Sequence, residues 1–114
     1  MVIDDDTRQV GYEDDQHKCD NNLAEGWYRF ANGKRFNSRC ARYHYCDTEN
    51  PGWLIGAHPQ PEEGRVSRRV CFGRSAAPSC SCVYQTDIIV RNCGSFYVYK
   101  LKPTPACSLR YCTN

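Results

Sequence analysis

Nine cysteines carry the clearest chemistry in this chain of 114 residues, because a thiol either binds a metal ion as a thiolate or oxidises to a disulfide. Zinc ribbons and fingers need two cysteines with about two to four residues between them, whereas Cys80 and Cys82 have one residue between them and Cys40 and Cys46 have five. We therefore expect disulfides, no metal or other cofactor, and a secreted, extracellular protein. Since nine is odd, at least one thiol is free or bonded to another chain.

The three histidines do not form a recognisable catalytic set. His17, His44 and His58 are far apart in the sequence, and no nucleophile motif, metal-binding motif or phosphate-binding loop accompanies them. A catalytic pair assembled only by folding stays open as an alternative. We expect that the protein is not an enzyme and that His58, which precedes Pro59, is structural.

The loop between Cys40 and Cys46 is the first candidate ligand-binding site. Sugar recognition combines an aromatic face for the apolar side of a ring with polar groups for its hydroxyls. The loop brings an arginine, a histidine and two tyrosines together: Arg42, Tyr43, His44 and Tyr45. The alternative is that Tyr43 or Tyr45 packs inward beside the disulfides.

A second candidate cluster flanks the apolar segment Ile88 to Val90. Its polar members are Gln85, Asp87, Arg91 and Asn92. They could contact sugar hydroxyls, but Asn and Asp are also ordinary residues at the ends of strands. Both interpretations stay open.

Charge is divided unevenly along the chain. Residues 1–18 carry six acidic and two basic residues, a net charge of −4, whereas residues 19–114 carry thirteen basic and seven acidic residues, a net charge of +6. Eleven of the fifteen basic residues are arginine, which binds carboxylate, sulfate or phosphate through paired hydrogen bonds. An acidic partner is one interpretation. The other is that these charges only keep the protein soluble.

Two classes of partner are not expected. No basic and aromatic residues interleave in a known RNA- or DNA-binding motif, so we expect no nucleic acid. No stretch approaches the roughly 18 apolar residues of a membrane helix, so we expect no membrane insertion. Because residues 1–4 lack the basic and apolar regions of a signal peptide, we expect that a secretory leader has been removed.

Turn signals recur between short aromatic and β-branched runs, which is typical of antiparallel strands. A first hairpin is predicted from Gly26–Phe30 through the Asn32-Gly33 turn into Lys34–Phe36. A second runs from Asp87–Arg91 into Phe96–Leu101, whose alternating side chains predict a central strand.

One further strand is predicted over Val66–Phe72, and a single turn near Cys19 to Ala24 is the only helical structure expected. The predicted fold is a small disulfide-rich domain of the β-dominated α+β class, with short antiparallel hairpins held by four or more disulfides and little helix. Residues 1–18 are expected to form a flexible acidic extension, and residues 19–114 a single disulfide domain.

The order of these features resembles one family, the eight-cysteine domain of uromodulin and the zymogen-granule membrane glycoprotein. The resemblance covers about Cys19 to Thr113. It depends on the cysteine spacing and on short segments between the cysteines, chiefly Gly26–Phe30, Trp53-Leu54, His58-Pro59, Glu62–Gly64, Phe96–Tyr99 and Tyr111–Thr113. The resemblance also implies that shared framework residues are core rather than site: Trp27, Trp53, His58, Tyr97 and Tyr99.

The resemblance implies a disulfide pairing that the spacing alone cannot choose. The implied pairs are Cys19–Cys107, Cys40–Cys80, Cys46–Cys112 and Cys71–Cys82. Cys93 is then the odd cysteine, since its counterpart in the longer form of the family pairs with a cysteine upstream of the domain. We expect its thiol to be buried, and the alternative is a bridge to another chain.

Mammalian members of this family display N-glycans that bacterial adhesins bind, but this chain contains no Asn-x-Ser/Thr. It cannot act as an N-glycan decoy. By analogy with single domains used as lectins in marine invertebrates, we predict a lectin for galactose or N-acetyllactosamine on glycoproteins or cell surfaces, which clusters them as a homo-oligomer. The alternative is a protein-interaction or adhesion module, or a binder of sulfated glycans through surface arginines.

Overall fold

The structure, a computed structural model, describes residues 1–12, 16, 18–40, 45–76 and 79–114. The described residues form seven strands: β1 (Val2–Ile3), β2 (Gly26–Phe30), β3 (Asn50–Leu54), β4 (Arg65–Ala76), β5 (Ser79–Asn92), β6 (Tyr97–Leu101) and β7 (Leu109–Tyr111). Three short 3₁₀ turns accompany them, at Asp6–Arg8, Tyr45–Asp47 and Pro61–Glu63. The described residues contain no α-helix. The predicted β-dominated, disulfide-rich class is confirmed.

The strands form one mixed sheet in the order β1-β2-β6-β5-β4-β3-β7. The central pairs are antiparallel, whereas β1 with β2 and β3 with β7 are parallel. The long hairpin of β4 and β5 contains the predicted strand over Val66–Phe72. The hairpin of β5 and β6 is the predicted second hairpin, and β6 lies between two strands, as its alternation predicts.

For the first hairpin, the prediction of a second strand is wrong. Asn32 and Gly33 do form a turn with positive φ, 59° and 69°. After that turn the chain leaves β2, and Phe36 makes only an isolated bridge with Thr113. The reason is that a strand has two hydrogen-bonding edges, and those of β2 pair with β1 and β6.

One face of the sheet carries the core. Its buried members are aromatic and aliphatic residues: Tyr28, Phe30, Phe36, Leu54, Val70, Phe72, Ile88, Val90, Tyr99, Leu101, Leu109 and Tyr111. The hydroxyl of Tyr99 accepts a hydrogen bond from the Phe36 N–H (3.0 Å) and lies 2.9 Å from His58 Nε2. Burial lowers the pKa of His58 to about 4, aided by the charges of Arg35 and Arg68. The ring is therefore neutral at neutral pH, and in the tautomer with its proton on Nδ1 it accepts the Tyr99 proton at Nε2.

Four disulfides cross-link the fold, and they are the four pairs that the resemblance implies: Cys19–Cys107, Cys40–Cys80, Cys46–Cys112 and Cys71–Cys82. The expectation of a buried Cys93 thiol is wrong, because this residue is exposed. It lies in the turn between β5 and β6, where its N–H donates to the Phe96 carbonyl (2.8 Å) and Gly94 has a positive φ.

The first twelve residues lie against the rest of the fold. Arg8 forms a buried ion pair with Asp20 (2.7 Å), and Arg110 forms another with Asp5 (2.5 Å). The N–H of Val10 donates to the carbonyl of Thr113 (2.9 Å). The division of the chain at residue 18 stays a prediction.

Candidate functional site

The face of the sheet opposite the core is basic. Successive side chains of a strand point to opposite faces, so the neighbours of buried Tyr28, Val90 and Tyr99 point outward. We call the outward cations of β2, β4, β5 and β6 that are not paired with Asp87 the outer basic face: Arg29, Arg65, Arg91 and Lys100. The three arginines are exposed and Lys100 is half-buried.

Three of these cations lie in one row that crosses the strands. Arg65 is directly opposite Arg91, and Arg91 is opposite Val98. Continuing the pairing of Trp27 with Lys100 and Tyr28 with Tyr99 by one residue places Arg29 beside Val98. Neighbouring strands are about 4.8 Å apart, so the Cα atoms at the two ends of the row, those of Arg65 and Arg29, are about 14 Å apart.

Two aromatic rings hold the arginines at the ends of this row. The Arg65 guanidinium lies 5.3 Å from the centre of the Trp27 ring, and that of Arg29 lies 4.6 Å from the centre of the Phe96 ring. Each contact is a cation–π interaction that restricts a flexible side chain. The guanidinium groups are therefore partly ordered before any ligand binds.

The expectation that the shared aromatic residues are core is therefore wrong for Trp27. Trp53 and Tyr99 are buried, with 8% and 0% of their surface exposed. Trp27 is half-buried on the outer face, because it directly pairs with the outward residue Lys100. His58 and Tyr97 are half-buried in ring contact with each other, 4.6 Å between centres.

A groove with a volume of about 530 Å³ adjoins the Arg29 end of the row. It lies between residues 29–35 and the turn 92–97, and its basic members are Arg29, Lys34 and Arg35. Arg35 lies 5.6 Å from the centre of the Tyr97 ring. The groove therefore continues the positive charge of the outer basic face beyond the C-terminal end of β2.

The first predicted site is mostly outside the described residues. Arg42, Tyr43 and His44 are not described. Tyr45 is half-buried at the start of a 3₁₀ turn and is followed by buried Cys46. The loop as a sugar-binding platform stays a prediction.

The second predicted site is placed along β5. Gln85, Asp87 and Arg91 are exposed on the outer face, and Asp87 pairs with Arg69 at 3.4 Å. Asn92 is held by two hydrogen bonds: its Nδ2 donates to the Pro59 carbonyl (3.0 Å) and its Oδ1 accepts from the Gly94 N–H (2.8 Å).

These four residues do not form one small site. Seven residues of extended strand separate Gln85 from Asn92, which is about 23 Å. Only Arg91 belongs to the row of arginines. Arg29, Arg65 and Trp27 were not predicted, because nothing in their local sequence shows which strands will be neighbours.

The described part of the chain contains no helix that is long and apolar enough to cross a membrane. Within those same residues, no group of three or more histidine, cysteine, aspartate or glutamate side chains is arranged to hold a metal ion.

Comparison with known proteins places the chain in a family. The family model of the uromodulin-like eight-cysteine domain matches residues 28–113. The pancreatic secretory granule membrane major glycoprotein GP2 of Homo sapiens is 36% identical over 115 residues, which cover 98% of this chain and 21% of that protein. Its counterpart in Canis lupus familiaris is 39% identical over 116 residues, 99% of this chain and 22% of that protein.

Uromodulin of Rattus norvegicus is 43% identical over 101 residues, which cover 86% of this chain and 15% of that protein. The chain therefore spans about a fifth or less of the length of these relatives. The match to the family model includes the core strands and three of the four disulfides in full. The chain belongs to the family of uromodulin-like eight-cysteine domains.

Proposed function

We propose that this chain is an extracellular binding module and that it binds acidic glycans, sulfated polysaccharides in particular, on the outer basic face. The observation that carries the proposal is the row of Arg65, Arg91 and Arg29, in which no outward residue is a carboxylate. Four disulfides are typical of a domain that works in an oxidising environment.

The chemistry of the row suits sulfate and carboxylate groups. A guanidinium group forms two parallel hydrogen bonds with either anion, and it is less strongly hydrated than an ammonium group. Arg65 and Arg91 are direct neighbours of like charge, which is unfavourable in the free protein. An anion between the two side chains would relieve that repulsion, so part of the binding energy comes from the arrangement of the strands.

The experiment is a glycan array probed with the labelled protein at about 0.15 M salt and again at about 1 M, where the Debye length falls from about 8 Å to about 3 Å. We expect binding to sulfated glycans that is lost at high salt. The Arg91→Gln variant should lose this binding, whereas Arg39→Gln, which changes an exposed arginine in a loop, should keep it. If the protein binds no sulfated glycan on the array, the proposal is contradicted, and an acidic protein is the next partner to test.

A lectin for neutral glycans of the galactose or N-acetyllactosamine type is the second candidate. The groove of about 530 Å³ favours it, because this volume accommodates a sugar ring and Phe96 and Tyr97 line its wall. Arg29 and Arg35 cover those two rings, so a sugar could stack on them only after the arginines move. Salt-resistant binding to a narrow set of neutral glycans on the same array would establish this candidate instead.

The two candidates differ in what they require of assembly. A lectin that clusters glycoproteins needs two or more sites, and we propose a homo-oligomer in that case. A binder of long sulfated chains needs no such assembly, because one polymer offers many sites to many copies. Light scattering of the free protein gives its oligomeric state, which is then compared with the class of glycan that the protein binds on the array.

A further inference from the structure

We propose that the ligand is a linear polyanionic glycan that lies across the strands, along the row of Arg65, Arg91 and Arg29, and not a single charged sugar at the end of a branch. This inference rests on the proposed function, since it names the shape and the orientation of the acidic glycan. It concerns an extended contact of about three strand separations, roughly 14 Å.

The direction across the strands is favoured by the distribution of charge on the face. Along β5 the outward residues run from Arg91 through Ile89 to Asp87, so the charge changes from positive to neutral to negative. Glu25 and Asp87 line a small hollow of about 160 Å³ beside Lys100. An anionic chain along the strands would therefore meet two carboxylates, whereas the row across the strands presents none.

The spacing of the row suits a polymer. Neighbouring strands are about 4.8 Å apart, and a six-membered sugar ring is about as long as that separation. Counted across the sheet, Arg65 is on the first strand of the row and Arg91 is on the second. Val98 is on the third strand and Arg29 is on the fourth. A chain with anionic groups on most of its sugars could thus place one on each arginine and an apolar ring surface on Val98.

The arginines at both ends of the row are held in place. Trp27 lies against Arg65 and Phe96 lies against Arg29, at 5.3 Å and 4.6 Å between guanidinium and ring centre. A ligand that orders a flexible arginine loses free energy, and a ring contact formed beforehand reduces that loss. Trp27 is on β2, so the Arg65 side chain reaches inward across the face, and the two held guanidinium groups are closer together than the Cα atoms of Arg65 and Arg29.

The test is isothermal titration calorimetry of the whole chain with heparin fragments of two, four, six and eight sugars at about 0.15 M salt. We expect affinity to rise by more than about tenfold from the disaccharide to the tetrasaccharide and then to change little with six and eight sugars, because four sugars already reach the fourth strand of the row. A disaccharide that binds as tightly as the hexasaccharide would overturn the inference while leaving the proposed function intact. Failure of every fragment to bind would overturn the proposed function itself.

Variants locate the contact. Arg65→Gln, Arg91→Gln and Arg29→Gln should each weaken hexasaccharide binding by about tenfold, the effect of losing one hydrogen-bonded charge. Arg69→Gln is the matched control, because Arg69 lies on the same strand and face as Arg65 but outside the row, paired with Asp87. It should change binding by less than about twofold. Equal losses in Arg69→Gln and Arg65→Gln would overturn the orientation across the strands.

These positions are exposed, so the variants should fold, and near-ultraviolet circular dichroism checks this before each titration. A weaker effect of Arg29→Gln on the disaccharide than on the hexasaccharide is also expected, since a short fragment cannot reach both ends of the row. Equal effects on the two fragments would contradict a single extended contact.

Discussion

The two faces of the central strands differ in almost every physical property, although their residues alternate in the same segments. On β6, Tyr99 and Leu101 are fully buried, whereas Val98 and Lys100 point to the other side. The inner face is a packed aromatic cluster, and the outer face is a row of arginines. The difference teaches that the same strands can provide stability on one face and a charged surface on the other. A substitution on the inner face should therefore change stability, and one on the outer face should change ligand binding.

The inner face has one polar element at its centre. The Tyr99 hydroxyl accepts a hydrogen bond from the Phe36 N–H and lies within hydrogen-bonding distance of His58 Nε2, at 2.9 Å. Its ring also packs 5.4 Å from Phe30 and 5.6 Å from Phe36, measured between ring centres. Burial raises the pKa of Tyr99, so its proton stays in place to make this contact.

The largest expected effect is the loss of the Tyr99 ring. We expect Tyr99→Ala to lower the free energy of unfolding by about 3–5 kcal/mol, because it leaves a cavity among buried rings. Lys100→Ala changes the next residue, on the outer face, and should change that free energy by less than about 0.5 kcal/mol. Urea denaturation measures both. Similar losses in the two variants would show that the faces do not divide stability as described.

A smaller effect is expected when only the Tyr99 hydroxyl is removed. Tyr99→Phe leaves the buried Phe36 N–H without its acceptor and should lower the free energy of unfolding by about 1–3 kcal/mol. Tyr84→Phe is the matched control, since Tyr84 is 41% exposed on β5. If both variants unfold at the same urea concentration, the hydrogen bond at Tyr99 contributes no stability.

The His58 contact predicts a dependence of stability on pH. The pKa of His58 is about 4 in the folded protein and about 6.5 in the unfolded chain, so the unfolded chain binds the proton more tightly. The stability from neutral His58 is complete above about pH 6.5 and is lost as the pH falls toward 4. Because the ring is only half-buried, we expect a loss of about 1 kcal/mol after solvent screening.

His58→Gln is the variant that tests this prediction. It keeps an acceptor for the Tyr99 hydroxyl but does not titrate, so its stability should fall less between pH 6.5 and 4. Burial raises the pKa of Asp5, but hydrogen bonds from Thr7 and the charge of Arg110 outweigh burial and lower that pKa to about 2, so Asp5 acts below this range. An identical pH profile for the variant and the wild type would assign the effect to other groups.

The smallest expected change in stability is at Arg91, and it has the opposite sign. Arg91→Glu replaces a like-charge pair with an opposite-charge pair across from Arg65, which should raise the free energy of unfolding by about 0.2–1 kcal/mol. The same variant should lose binding to sulfated glycans. A destabilised variant, or one that still binds, would contradict the separation of binding from stability.

The parts of the fold that depend on residues close together in the sequence were predicted correctly. The turn at Gly94 and the alternation of Tyr97, Tyr99 and Leu101 predict the hairpin of β5 and β6. The Asn32-Gly33 turn was also predicted, but its second strand was not formed, because the edges of β2 pair with segments from elsewhere in the chain. A local signal determines a turn, whereas pairing depends on which distant strands compete for the same edge.

The candidate site was predicted only at Arg91. Its partners in the row come from β2 and β4, and Trp27 was assigned to the core because it belongs to the framework that the chain shares with the family it resembles. No local pattern distinguishes an arginine that ends beside Arg91 from one that ends elsewhere. The sheet register made the row visible, because it shows which residues are opposite each other.

By itself, the sequence determined that this is a cross-linked β-rich domain with one cysteine left over, since cysteine number and residue alternation are properties of the linear chain. Only the tertiary structure decided that Cys93 is exposed and that Arg29, Arg65 and Arg91 share one row. The physical reason is that exposure and cross-strand neighbours depend on contacts between segments tens of residues apart. Those contacts are fixed by the competition among strands for edges and by the packing of the core.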